Sequence, residues 1–156
     1  MKVDYVNPFL VASLSVLRQV LNVEPERGAV SARPKMFTTQ QCNIITGVAG
    51  KVEGQVIYGM SMRTADNVAS LMIGQPVDDL DQVAASAIAE LGNMITGNAM
   101  TLLADAGFNA DITPPTLVRG SNVRVSTLDV PALVIPLALG EIGTFEVNVS
   151  LQERRR

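Results

Sequence analysis

Two hairpin patterns, one on either side of a long helix-forming run, constrain this chain more than any other feature of its sequence. Residues 43–62 read NIITGVAGKVEGQVIYGMSM and residues 132–152 read ALVIPLALGEIGTFEVNVSLQ. Both alternate apolar with small or polar residues around glycine-bearing turns, the first turn falling near residues 50–54. That is the pattern of paired strands with one face buried. Aligning Gly54 with Gly143 sets VAGKVEGQVIYGMS beside LALGEIGTFEVNVS, apolar against apolar at most positions. Each hairpin is preceded at some distance by a helix rich in Ala and Leu. The chain therefore reads as an internal duplication: helix, extended segment, hairpin, repeated with a further helix between. The fold class this predicts is α+β, with helices packed on an antiparallel sheet made from the two hairpins.

The remaining segments are assigned by their punctuation. FLVASLSVLRQVLN after Pro8 predicts a helix with Asn7 as cap and Pro8 at the first helical position. Phe9, Leu10, Leu14, Leu17 and Leu21 give it a buried side. Asp4 and Pro8 interrupt the opening apolar run, so it reads as a helix of the folded domain and not as a signal peptide. Residues 24–35 carry Pro, Gly and charge, and read as a loop. RTADNVASLMIG, residues 63–74, is a short helix with Thr64 as cap and Gly74 as stop. Asp78 or Asp79 is expected to cap the long helix, which runs to about Asp105 and ends at Gly107. Asp78, Asp79 and Asp81 suit the positive end of its dipole, which accounts for them better than a metal site does. TPPTLVRG is extended, because Thr113 precedes a proline.

The 156 residues are expected to form one domain spanning 1–156, with a core of Leu, Ile, Val, Ala and Met and no Trp. No apolar run is long enough to span a membrane. One cysteine, Cys42, excludes an internal disulfide and a multi-thiolate zinc site, and reads as a buried inert thiol. There is no histidine, which removes Ser-His and Cys-His nucleophiles, His-ligated metals and imidazole acid–base chemistry together. A net charge of −3 leaves no electrostatic footprint for nucleic acid. The basic residues 154–156 read as a frayed terminus. A cytoplasmic location is expected.

The long helix has the most unusual polar side in the chain. At about 100° per residue, Ala84, Ile88, Leu91, Ile95, Ala99 and Leu102 form one apolar stripe. Ser86, Glu90, Asn93 and Gly97 line up on the opposite side. A solvent-facing helix side ordinarily carries several Lys, Arg and Glu; this one has a carboxylate, an amide, a hydroxyl and a glycine. Gly92 and Gly97 each cost the helix about 1 kcal/mol relative to Ala. Close packing within the protein and close approach by a partner both account for them.

Ser86-x3-Glu90-x2-Asn93-x21-Pro115 resembles the signature of the CheC/CheX/FliY chemotaxis phosphatases, in which the first position is Asp or Ser. The opening NPFLVASLSVL and the motif's place on a second long helix are also similar, so the resemblance covers nearly the whole chain. A single motif, where CheC-type chains usually carry two, is similar to the CheX branch. The resemblance implies removal of the phosphoryl group from the phospho-aspartate of a CheY-type response regulator. It implies that Asn93 orients the attacking water and that Glu90 pairs with the regulator's active-site lysine. Ser86 and Gly97 would lie under the docking footprint as contacts. Any Mg²⁺ would belong to the phosphorylated partner, with no intrinsic cofactor, and a homodimer is expected by the same resemblance. The alternative is a non-catalytic CheX-like module that binds a receiver domain or a flagellar-switch component.

Overall fold

The structure, a computed structural model, describes residues 3–34, 36–127 and 130–154. The chain forms α1 (Val3–Leu21), three short strands β1 (Glu26–Arg27), β2 (Ser31–Arg33) and β3 (Met36–Thr38), and the hairpin β4 (Cys42–Gly50) and β5 (Val52–Met60). Helices α2 (Met62–Ile73) and α3 (Gln82–Asp105) follow, then β6 (Ala110–Ile112), β7 (Thr116–Arg119) and β8 (Arg124–Ser126). A second hairpin, β9 (Ala132–Ala138) and β10 (Thr144–Glu153), closes the described chain. Arg155 and Arg156 of the basic tail lie outside the described residues.

Both expected hairpins form, and their second strands pair with each other, Val147 opposite Tyr58, at the centre of an antiparallel sheet. The sheet runs β1-β9-β10-β5-β4-β6, with β2 beside β9 and β7 beside β4. The early strands β1 and β2 thus border the late hairpin, whereas the late strands β6 and β7 border the early one. Among the described residues β3 and β8 form a separate two-stranded sheet. The three helices cover one face: Ile44, Val56, Tyr58, Phe145, Val147 and Val149 point into a core shared with Phe9, Val16, Ala65, Ile88 and Ile95. The β3–β8 ribbon lies over the other face, where Ile57 and Ala132 meet Val125.

Several local expectations are corrected by tertiary contacts. Pro8 is inside α1, because the helix extends back to Val3 and buries Tyr5 and Val6. The Tyr5 ring meets Phe108 edge-on at 5.0 Å, which rewards a turn that Pro8 alone would discourage. Residues 24–35 contain β1 and β2, edge strands whose pairing comes wholly from β9. Ser61, and not Thr64, caps α2, its side chain accepting from the Thr64 amide at 3.1 Å. Asp81, and not Asp78 or Asp79, caps α3, accepting from Ala84 N at 2.8 Å. Leu80 is buried just before it, and Arg119 Nη1 donates to the Leu80 carbonyl at 2.6 Å, fixing where α3 can begin. At the other end Gly107 adopts φ +94°, and Phe108 N bonds Leu103 O at 2.8 Å, a left-handed helix stop.

Candidate functional site

α3 packs against α1, α2, β4, β6 and β7, leaving one side outward. Ala84, Ile88, Leu91, Ile95, Ala99 and Leu103 are fully buried. Leu102 is only partly so, because over this length the inward stripe drifts round to Leu103. Opposite the stripe, Ser86, Glu90 and Gly97 are exposed and Asn93 is partly exposed. The structure therefore brings these four side by side on the outer face of one rigid helix. Glu90 and Asn93 are one turn apart, about 4.5 Å along the axis. Among the described residues neither the Glu90 carboxylate nor the Asn93 carboxamide has a hydrogen-bond or ionic partner in the chain, so both are free to meet something outside it. Pro115 is partly buried between β6 and β7, strands that flank α3.

The two helix glycines separate in meaning. A methyl added at Gly92 would stand 2.6 Å from Ile44 Cγ2, so Gly92 lets α3 settle onto β4. A methyl at Gly97 would meet nothing within 4 Å. No packing within the described chain explains that residue.

Other polar groups are placed differently. Asp78, Asp79 and Asp81 sit at the entrance to α3, where Asp81 is the cap. No group of three or more Asp, Glu, Cys or His side chains among the described residues is arranged to hold a metal ion. Cys42 is buried at the start of β4, and burial pushes its thiol up to about 11, an unreactive state. No helix of the described chain is long and apolar enough to cross a membrane. Sequence reading missed Thr96 and Tyr58, whose hydroxyls meet beneath this face. A Thr on the inward side of an otherwise aliphatic helix was the available signal.

Comparison with known proteins bears on the same helix. The family model described as Chemotaxis phosphatase CheX matches residues 42–138, which include all of α3. The chain belongs to the CheX family. A curated CheX relative, the CheY-P phosphatase CheX of Thermotoga maritima, is 33% identical over 148 residues, 94% of this chain and 95% of the relative. The crystal structure of the CheX–CheY–BeF3–Mg²⁺ complex from Borrelia burgdorferi contains a chain 38% identical, with a TM-score of 0.84, covering 97% of this chain and 100% of that one. A CheC-like superfamily protein from Shewanella sp. PV-4 superposes with a TM-score of 0.88 at 25% identity, covering 97% and 99%. The α+β fold of this CheX-family chain is therefore that of the CheC-like superfamily.

Proposed function

We propose that this protein is a phosphatase for the phospho-aspartate of a CheY-type response regulator, with the outer face of α3 as its working surface. The observation that carries the reading is the placement of Glu90 and Asn93 together on that face, without partners among the described residues, in a CheX-family chain. An acyl phosphate is labile, so a positioned water attacking phosphorus in line suffices, with no covalent enzyme intermediate. The phosphorus–oxygen bond to the aspartyl carboxylate breaks, giving the free carboxylate and inorganic phosphate. The Asn93 carboxamide oxygen accepts from the attacking water and aims it. Glu90 pairs with the regulator's active-site lysine and fixes the docking register. Ser86 and Gly97 lie within the footprint, and the bare Gly97 allows the partner's backbone to come close. Mg²⁺ belongs to the partner's phosphorylation site, consistent with the composition of the Borrelia complex.

The protein is read as cytoplasmic and as a homodimer joined through sheet edges or an apolar face. The exposed pair Glu26 and Arg27 on β1 marks one such edge. Light scattering giving a monomer mass at micromolar concentration would overturn the dimer alone. For the activity, the decay of a phosphorylated CheY-type regulator is followed with and without the protein. Acceleration by the wild type that is lost in Asn93→Ala supports the phosphatase. Binding without acceleration would establish the docking-module alternative instead.

A further inference from the structure

A buried pair of hydroxyls holds the working turn of α3 from below. Thr96, fully buried, donates its Oγ1 proton to the Gly92 carbonyl at 2.8 Å. The same Oγ1 lies 2.7 Å from the Tyr58 hydroxyl. A hydroxyl has one proton and a carbonyl can only accept, so the second bond must be donated by Tyr58. The chain runs Tyr58 O–H to Thr96 O–H to Gly92 C=O. It starts on β5, at the middle of the sheet, and ends on the peptide unit that joins Gly92 to Asn93.

Each link is immobilised. Tyr58 is fully buried, and its ring stacks on Phe145 with centroids 5.8 Å apart and planes 27° apart. Burial raises the Tyr58 phenol far above its ordinary value. On the helix side, the absence of a side chain at Gly92 lets Ile44 lie directly against the backbone.

Apolar packing sets how deep a helix lies but is weakly directional, whereas hydrogen bonds fix an angle. A rotation of about 10° about the axis moves an atom on the helix rim, roughly 5–6 Å out, by about 1 Å. Misplacement of a reacting group by about 1 Å can cost as much as 100-fold in rate.

We propose that Tyr58 and Thr96 are positioning residues for catalysis, setting the rotation of α3 so that the Asn93 carboxamide meets the water at its working angle. The proposal rests on the reading of Asn93 as the group that orients water. Neither Tyr58 nor Thr96 touches the regulator; both act through the Gly92–Asn93 peptide.

Steady-state hydrolysis of a phosphorylated CheY-type regulator by Tyr58→Phe, Thr96→Val and Thr96→Ser tests it. Tyr58→Phe and Thr96→Val are expected to lower kcat by about 10-fold with KM within about twofold, while Thr96→Ser, which keeps the hydroxyl, stays near wild type. In the protein alone, ¹⁵N relaxation dispersion is expected to show millisecond exchange confined to residues 90–97 in Tyr58→Phe and none in wild type. An unchanged kcat in Tyr58→Phe, a loss that falls on KM, or an equal loss in Thr96→Ser would each overturn the proposal. A wild type that does not accelerate decay would overturn the phosphatase reading instead. The dispersion measurement, which needs no substrate, then still decides whether the hydroxyl chain fixes α3.

Discussion

α1 and α3 perform the same structural task with different surfaces. Both lie on the helix-covered face of the sheet, and both bury one hydroxyl that bonds the carbonyl four residues back, Ser13 to Phe9 at 2.6 Å and Thr96 to Gly92 at 2.8 Å. Beyond that they diverge. The outward side of α1 shows Val3, Asp4, Asn7, Val11 and Arg18, and Arg18 is paired with Glu24 at 2.7 Å. The outward side of α3 shows Glu90 and Asn93 beside Gly97, where no packing among the described residues requires a glycine. Underneath, Thr96 accepts a hydrogen bond from the Tyr58 hydroxyl, while the residue opposite Tyr58 across the β5–β10 pairing is Val147, whose side chain has no donor. A sheet-packed helix needs only its inward residues. One difference thus lies on the outward side, where the fold makes no demand, and the other beneath the helix at the Tyr58–Thr96 contact.

Substitutions can break that contrast, and the largest effect is expected at Asn93. Asn93→Ala should reduce the acceleration of regulator dephosphorylation on the order of 100-fold, as the loss of the group proposed to position the reacting water. Its partly exposed side chain has little packing to lose, so thermal unfolding should register no more than about 1 kcal/mol. Glu90→Ala removes the charge-assisted contact proposed with the regulator's lysine, and kcat/KM should fall about 10- to 100-fold with KM rising as well. Added salt should weaken the wild type's docking more than the variant's. Wild-type kinetics in either variant would return α3 to equality with α1.

The glycine pair gives effects of opposite sign in thermal denaturation. Gly92→Ala forces a methyl against Ile44 and should destabilise by about 1–3 kcal/mol in spite of the better helix former. Gly97→Ala has open space and should stabilise by about 1 kcal/mol, raising Tm by roughly 2–4 °C, while raising KM for the regulator. A stability gain at both positions would mean that Gly92 is not a packing device. The smallest effect is expected on α1: Ser13→Ala loses one local hydrogen bond, about 1 kcal/mol or less, and leaves turnover unchanged.

What could be read from the sequence followed from periodicity. The hairpins around residues 43–62 and 132–152 were legible because alternation reports a half-buried sheet. The outward set Ser86, Glu90, Asn93 and Gly97 was legible because a 3.6-residue period sorts a helix into sides. Features set by distant partners were not. Nothing in residues 24–35 announces β1 and β2, since their alternation is short and exposed and their hydrogen bonds come from β9. The start of α1 was misplaced because Pro8 is a strong local signal, and the burial of Tyr5 against Phe108 overrides it. Ser61 and Asp81 have nearby competitors as caps in Thr64, Asp78 and Asp79, a choice that Gln41 and Arg119 settle by what they hold in place. The Tyr58–Thr96 bond spans 38 positions and has no local trace at all.

The crossed pairing of the short strands has a consequence for how the chain comes to be folded. Because β1 and β2 border β9, and β6 and β7 border β4, each half is completed only by the other. A fragment ending after α2 would leave both edges of its hairpin bare and its own short strands without a template. Pairings of such sequence separation carry a loop-closure cost before any contact compensates, which places folding at the slow end for a chain of this size. It also means that a nick in the connector through Gln75 and Pro76, both exposed, would cut the polypeptide without releasing either piece. Two separately made halves should then find each other and assemble, while neither alone folds.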